Sequence, residues 1–193
     1  MKGNMRMLSK IIYTLVFLLF VSPGTKTEGG DAIRRPTTPP MNGSFQFSFG
    51  KPTVTISIPG VPDIKMGPHP LVRTQPHCRY MGSKTPYTVS ILVPTMDAGM
   101  TGEEIATAGA KSKIKQLSLG QSQYRVYRGE DEKTFCMYFP IELAKGVFQL
   151  HAYLWAAYGT SLMIEVHVTK MTSDPNEIKS WYGCFPKARI LVQ

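Results

Sequence analysis

The stretch LHAYLWAAYGTSLMIEVHVTK, from Leu150 to Lys170, alternates apolar and other side chains on either side of a glycine. That period of two constrains the fold more than any other feature of the chain. Successive side chains of a strand point to opposite faces, so Leu150, Ala152, Leu154 and Ala156 form one apolar row, and Leu162, Ile164, Val166 and Val168 form a second. Both rows belong on one face of an antiparallel hairpin, which pairs even positions with even positions. A three-residue turn at Tyr158-Gly159-Thr160 then sets Leu154 opposite Ile164 and Ala152 opposite Val166. On the reverse face Tyr153 meets Glu165 and His151 meets His167.

Facing side chains in such a pair have Cβ atoms about 5 Å apart. His151 and His167 at that spacing, with Glu165 two residues along the strand, supply the nitrogen and oxygen donors that zinc or copper take, and are candidate metal ligands. The competing reading is structural. Gln149, Tyr153, Trp155, Met163 and Thr169 share that face, which a helix is able to cover. Imidazoles open to a cleft favour a metal site, a hydrolase or a pH-sensitive contact, whereas burial under a helix favours structure.

Further alternation predicts more strands. Phe45, Phe47 and Phe49, then Val54, Ile56 and Ile58, flank Gly50-Lys51-Pro52 as a hairpin. Residues 59–86, rich in proline, read as a long irregular excursion, and Tyr87 to Val93 resume the alternation. Thr101 and Glu104 have capping-box spacing, and Ala106, Ala110, Ile114 and Leu117 recur at helical spacing, with Lys111, Lys113 and Lys115 on a solvated face and Gly120 as the stop. QYRVYRG and TFCMYF are two strands split by the acidic turn Gly129 to Glu132. Asp174-Pro175-Asn176-Glu177 starts a second helix carrying Ile178, Trp181, Tyr182 and Phe185, and ARILV is a terminal extended tail. The fold class expected is α+β: a mainly antiparallel sheet of six to seven strands with two principal helices packed on it.

The amino terminus reads as an export signal over residues 1–24: bases Lys2, Arg6 and Lys10, an apolar run from Ile11 to Val21, then small residues Ser22 and Gly24. The alternative is an uncleaved anchor. Residues 25–44 are a flexible linker, with a glycosylation triplet at Asn42-Gly43-Ser44 should the host be a eukaryote, and residues 45–193 are one domain. Loss of residues 1–24, which hold three bases and no acid, takes the formal charge from +9 to +6. That excess suits an acidic partner or contact with an anionic membrane surface. There is no arginine-rich run, so nucleic acid is not an expected partner. In an oxidising compartment Cys78, Cys136 and Cys184 are disulfide candidates, with one pair of unknown identity and one thiol left over. No cofactor is expected, since there is no glycine-rich phosphate loop and no G-x-S-x-G elbow.

The order of YTVSILVP, the capped helix TGEEIATAGAKSKIKQL, the paired strands QYRVYRG and TFCMYF, the long hairpin, and the closing helix DPNEIKSWYGCF resembles the PsbP-like α/β/α sandwich. That fold is shared by the extrinsic P protein of photosystem II, a Ran-binding nuclear import factor and small exported bacterial proteins. The resemblance covers residues 45–190, and the proline-rich insert at 59–86 departs from it. It implies a last helix packed back on the sheet and a non-enzymatic binding or assembly module with no shared active site. The function expected is therefore an exported protein that acts by binding a macromolecular partner, most simply a protein. Tyr80, Trp155, Tyr158 and Trp181 are its candidate anchors. A small-molecule or lipid binder is the first rival, marked by an apolar pocket between sheet and helix. A metal protein or hydrolase built on the 150–170 hairpin is the second.

Overall fold

The computed structural model describes residues 43–96, 99–158 and 162–193. The proposed signal segment, nearly all of the linker and Asn42 lie outside them. In chain order the elements are β1 (Ser44–Phe49), β2 (Val54–Pro59), β3 (Gly67–Pro68), β4 (Cys78–Lys84), β5 (Tyr87–Leu92), α1 (Gly102–Leu117), β6 (Arg125–Arg128), β7 (Phe135–Ala144), β8 (Val147–Tyr158), β9 (Leu162–Thr172), α2 (Pro175–Tyr182), a 3-10 turn (Phe185–Lys187) and β10 (Arg189–Val192). A seven-stranded sheet runs β3-β4-β5-β9-β8-β7-β6, and a three-stranded sheet runs β1-β2-β10. Every strand pair is antiparallel, so the fold is α+β as expected. Among the described residues no helix is long and apolar enough to cross a membrane.

β8 and β9 form the centre of the large sheet. Their even-numbered row is buried, with Leu150, Leu154, Val166 and Val168 all at 0% exposure. The register is shifted by two residues from the expected one: Leu154 faces Val166, Ala152 faces Val168, Tyr153 faces His167, Trp155 faces Glu165, and His151 faces Thr169. A shift of two keeps every side chain on its face, so the period alone does not choose between the two registers. The observed one brings the Trp155 indole N–H to the Glu165 carboxylate and lays the Tyr153 ring on His167. A buried indole left without an acceptor is costly, and this pairing satisfies it.

The even face packs against the small sheet and α2. Phe45, Val54, Ile56, Ile58, Ile190, Trp181 and Phe185 share one apolar cluster with the β8–β9 row. The alternation of β1 is read correctly as a hairpin with β2, but its outer phenylalanines, Phe47 and Phe49, each rest 5.1 Å from the Tyr80 ring of β4. Tyr80 is thus engaged internally, and Trp155 and Trp181 are fully buried, so none of these three is an exposed anchor.

Residues 59–86 are less irregular than the sequence suggests, because β4 lies among them and pairs with β5. Its alternation is hidden by Gly82, where a β-carbon would lie 2.6 Å from the Lys65 carbonyl oxygen, and by a bulge between Cys78 and Tyr80. ARILV is likewise a paired strand, held along β2 from Arg189 opposite Ser57 to Val192 opposite Val54.

The odd face of β7–β9 packs against α1. Thr101 and Glu104 form the predicted capping box, and Glu103 and Glu104 lie in the first turn, where the helix dipole favours negative charge. Two details differ from expectation. The left-handed residue that ends the helix is Ser118 (φ 53°), and Leu117 is 38% exposed, so the buried stripe is Ile105, Ala106 and Ala110. Gly109 lets the helix approach the sheet closely: a β-carbon there would lie 2.9 Å from Cε2 and Nε1 of the buried Trp155 ring. In an open helix Gly→Ala gains about 1 kcal/mol of propensity, but overpacking against a ring with no room to move costs about 1–3 kcal/mol. Gly109→Ala should therefore lower the urea midpoint, while the same measurement on Gly120→Ala should show a much smaller loss.

Candidate functional site

The predicted ligands are brought together, but as part of a filled layer. His151, Glu165 and His167 are 6%, 7% and 9% exposed under α1. His151 Nδ1 and His167 Nε2 are 3.0 Å apart, so one ring donates an N–H to the other. Tyr153 stacks on His167 with ring centres 4.1 Å apart, and Phe139 stacks on His151 at 4.9 Å. The Trp155 indole N–H donates to Glu165 Oε2 at 3.0 Å, and Lys113 of α1 pairs with Oε1 at 3.1 Å. Lys113 therefore reaches down from the helix rather than joining the solvated face, and its ammonium also lies 4.7 Å from the Tyr153 ring centre.

Both Glu165 oxygens are thus engaged. Among the described residues no three His, Cys, Asp or Glu side chains converge so as to hold a metal ion. Burial also holds both imidazoles neutral. It pulls His151 down to about 4 and holds His167 well below the value of a free imidazole, with the His151 and Lys113 charges adding to the effect. The chemistry available here is that of a buried polar layer, tied to α1 through the Lys113–Glu165 ion pair.

The three cysteines do not pair: Cys78, Cys136 and Cys184 are all free thiols. Each points at a separate acceptor, Cys78 at Gln75 Oε1, Cys136 at the Phe185 carbonyl and Cys184 at the Ser180 carbonyl. Burial raises the pKa of all three and takes Cys136 up to about 12, which leaves the thiols un-ionised and poorly nucleophilic at neutral pH.

The open concavity lies elsewhere. A groove of about 760 Å³ runs between α2 and the β6–β7 edge of the large sheet. Its floor is aromatic: the Tyr138 and Tyr182 rings stack with centres 4.0 Å apart and planes 16° apart, and Tyr127 lies 5.5 Å from Tyr138. Burial pushes the Tyr127 and Tyr182 phenols above the ordinary tyrosine range, so they stay neutral. Arg125, Arg128 and Lys179 line it, and no carboxylate does. Arg128 is paired with Glu103, whereas Arg125 and Lys179 form no ion pair among the described residues. No single stretch of sequence displays this site. The signal present is the pair of arginines spaced around Val126-Tyr127, but the tyrosines come from β6, β7 and α2 and meet only in the folded chain.

No family model and no curated protein matches the chain. Among solved structures it is similar to the solution structure of cyanobacterial PsbP (CyanoP) from Synechocystis, at 9% identity, over 86% of this chain and 98% of that chain, with a TM-score of 0.44.

Two outcomes follow from the buried groups. The folded-state histidine values lie below the 6.5 of a free imidazole, so between those limits the unfolded chain binds more protons. Stability is then complete above about pH 6.5 and falls as the pH drops towards 4. The urea midpoint should decline from pH 6.5 to 5, above the range where carboxylates titrate, and His151→Gln/His167→Gln should flatten that slope. His69, also lowered by burial and by His77, contributes equally to both proteins. Thiol counting on unfolded, unreduced protein should find all three cysteines reactive, and in the native protein the half-buried Cys184 should react first. A count of one would mean that a disulfide forms.

Proposed function

We propose that the chain is an exported, non-enzymatic binding protein that docks a macromolecular partner in the groove between α2 and the β6–β7 edge. The observation that carries this reading is the composition of that groove: a stacked tyrosine floor with two rim cations, Arg125 and Lys179, that form no ion pair among the described residues. Tyrosine and arginine are the side chains most enriched where protein contacts concentrate their energy. The formal charge of +9 in the whole chain favours approach by an acidic partner. Export rests on the basic and apolar pattern of residues 1–24.

The rival small-molecule or lipid reading draws on the same groove, since it lies between sheet and helix. Its open form and charged rim suit a polypeptide better than an acyl chain, which gains most from an enclosed apolar cavity. The hairpin histidines are assigned a structural role, because they are buried, bonded to each other and stacked on Phe139 and Tyr153, and Glu165 is already paired.

The test is quantitative capture of partners from the native source by the full chain and two variants. Arg125→Glu/Lys179→Glu should weaken retention of the specific partner by tenfold or more, since like charges facing each other across an interface cost several kcal/mol. Lys145→Glu, an equally exposed reversal in the turn between β7 and β8, should leave retention unchanged. Equal loss in both variants would show that the partner reads overall charge rather than the groove.

A further inference from the structure

β6 is the last strand of the large sheet and is paired on one side only, with β7. The Gly129 N–H donates to the Thr134 carbonyl at 2.7 Å, which makes Gly129–Thr134 a hydrogen-bonded pair. Pairs in an antiparallel ladder alternate, so Tyr127–Cys136 and Arg125–Tyr138 are also hydrogen-bonded, while the N–H and C=O groups of Val126 and Arg128 point away from β7. Among the described residues no loop or side chain takes up those outward groups. Val126 itself is 47% exposed. Natural proteins commonly cover or blunt such an edge, and β6, at four residues, is short.

The same strand presents alternate side chains to the groove. Tyr127 lies over Tyr138, and Arg125 stands on the rim facing Lys179 of α2. A strand laid along β6 would therefore meet backbone groups at its edge and aromatic and cationic groups with every second side chain. This is the arrangement by which extended peptides are recognised through strand addition.

We infer that the occupant of the groove is an acidic, extended polypeptide segment that adds as a strand to the free edge of β6. Its outward-facing partners on β6 are Val126 and Arg128. Its groove-facing carboxylates meet Arg125 and Lys179, and an apolar or aromatic side chain between them lies on the Tyr138–Tyr182 stack. The inference rests on the groove being the docking site and adds the class of partner and the mode of its binding. Charge complementarity selects the occupant, because Arg125 and Lys179 line the groove without an ion pair among the described residues, Arg128 is neutralised by Glu103, and no carboxylate lines it.

The probe is a fluorescein-labelled nine-residue peptide with glutamate and phenylalanine alternating at its odd positions and threonine at its even positions. Anisotropy is read with the full chain, and circular dichroism checks that each variant is folded. The peptide should bind, its lysine-for-glutamate counterpart should bind at least tenfold more weakly, and Arg125→Glu/Lys179→Glu should reverse that preference. Backbone N-methylation separates the binding modes. Methyl groups on one alternate set of residues should abolish binding and those on the other set should not, because only one set faces β6. Equal binding of both methylated peptides would overturn strand addition while leaving the groove as the docking site. No preference for the acidic peptide would overturn the partner class. So would charge-dependent sedimentation with phosphatidylserine vesicles in the absence of peptide binding, which would assign the rim to a membrane surface.

Discussion

The pairing of β8 with β9 is the constraint on which the rest of the molecule is built. Twelve residues of one strand run against eleven of the other, and both faces of the ribbon are covered. The even face needs only shape and apolar surface, so it accepts the small sheet, α2 and the 3-10 turn in one continuous core. The odd face carries two imidazoles, a carboxylate and an indole, and burying it requires that each polar atom find a partner. The imidazoles bond to each other and the indole bonds to the carboxylate, while α1 supplies one lysine to that carboxylate and a glycine that lets the helix approach the Trp155 ring closely. The ion pair and the close approach reinforce each other, because a helix held further out would lift Lys113 from Glu165.

This explains what was legible in the residues and what was not. Alternation marked β1, β2, β5, β7, β8 and β9, since each has a buried row facing a wetter or differently packed one. Both helix starts were legible for a local reason: Thr101 and Asp174 cap backbone groups within three residues of themselves. The hairpin register was not, because slipping by two residues leaves the pattern unchanged. It is decided by Trp155 finding Glu165, a preference between individual side chains that periodicity does not encode. β4 was obscured by a glycine that its neighbours require, and β10 by having its partner 130 or more residues earlier in the chain.

The candidate site shows the same division. The residue types at His151, Glu165 and His167 suggested ligands, and their shared face was correctly placed. The structural role proposed for them rests on Lys113, which sits on a helix some fifty residues upstream and pairs with Glu165, although helical spacing alone puts it on a solvated face. The groove is harder still to see in the sequence, because its floor draws one tyrosine from each of three elements. Cys136, opposite Tyr127 in the ladder, is buried, and its thiol is kept protonated by that burial.

The two walls of that groove are anchored differently. Glu177, in the first turn of α2, accepts hydrogen bonds from Thr172 at 2.7 Å and pairs with Lys170 at 2.8 Å, and both partners lie at the end of β9. Thr172 also accepts from the Asp174 backbone N–H, so the helix is fastened to the end of the central strand β9. The opposite wall, β6, is held by one ladder of four residues. Local opening of a protein begins where the fewest contacts must be broken. The groove is thus a jaw with one firmly and one lightly held side, and an occupant that completes the sheet would also stiffen the lightly held one.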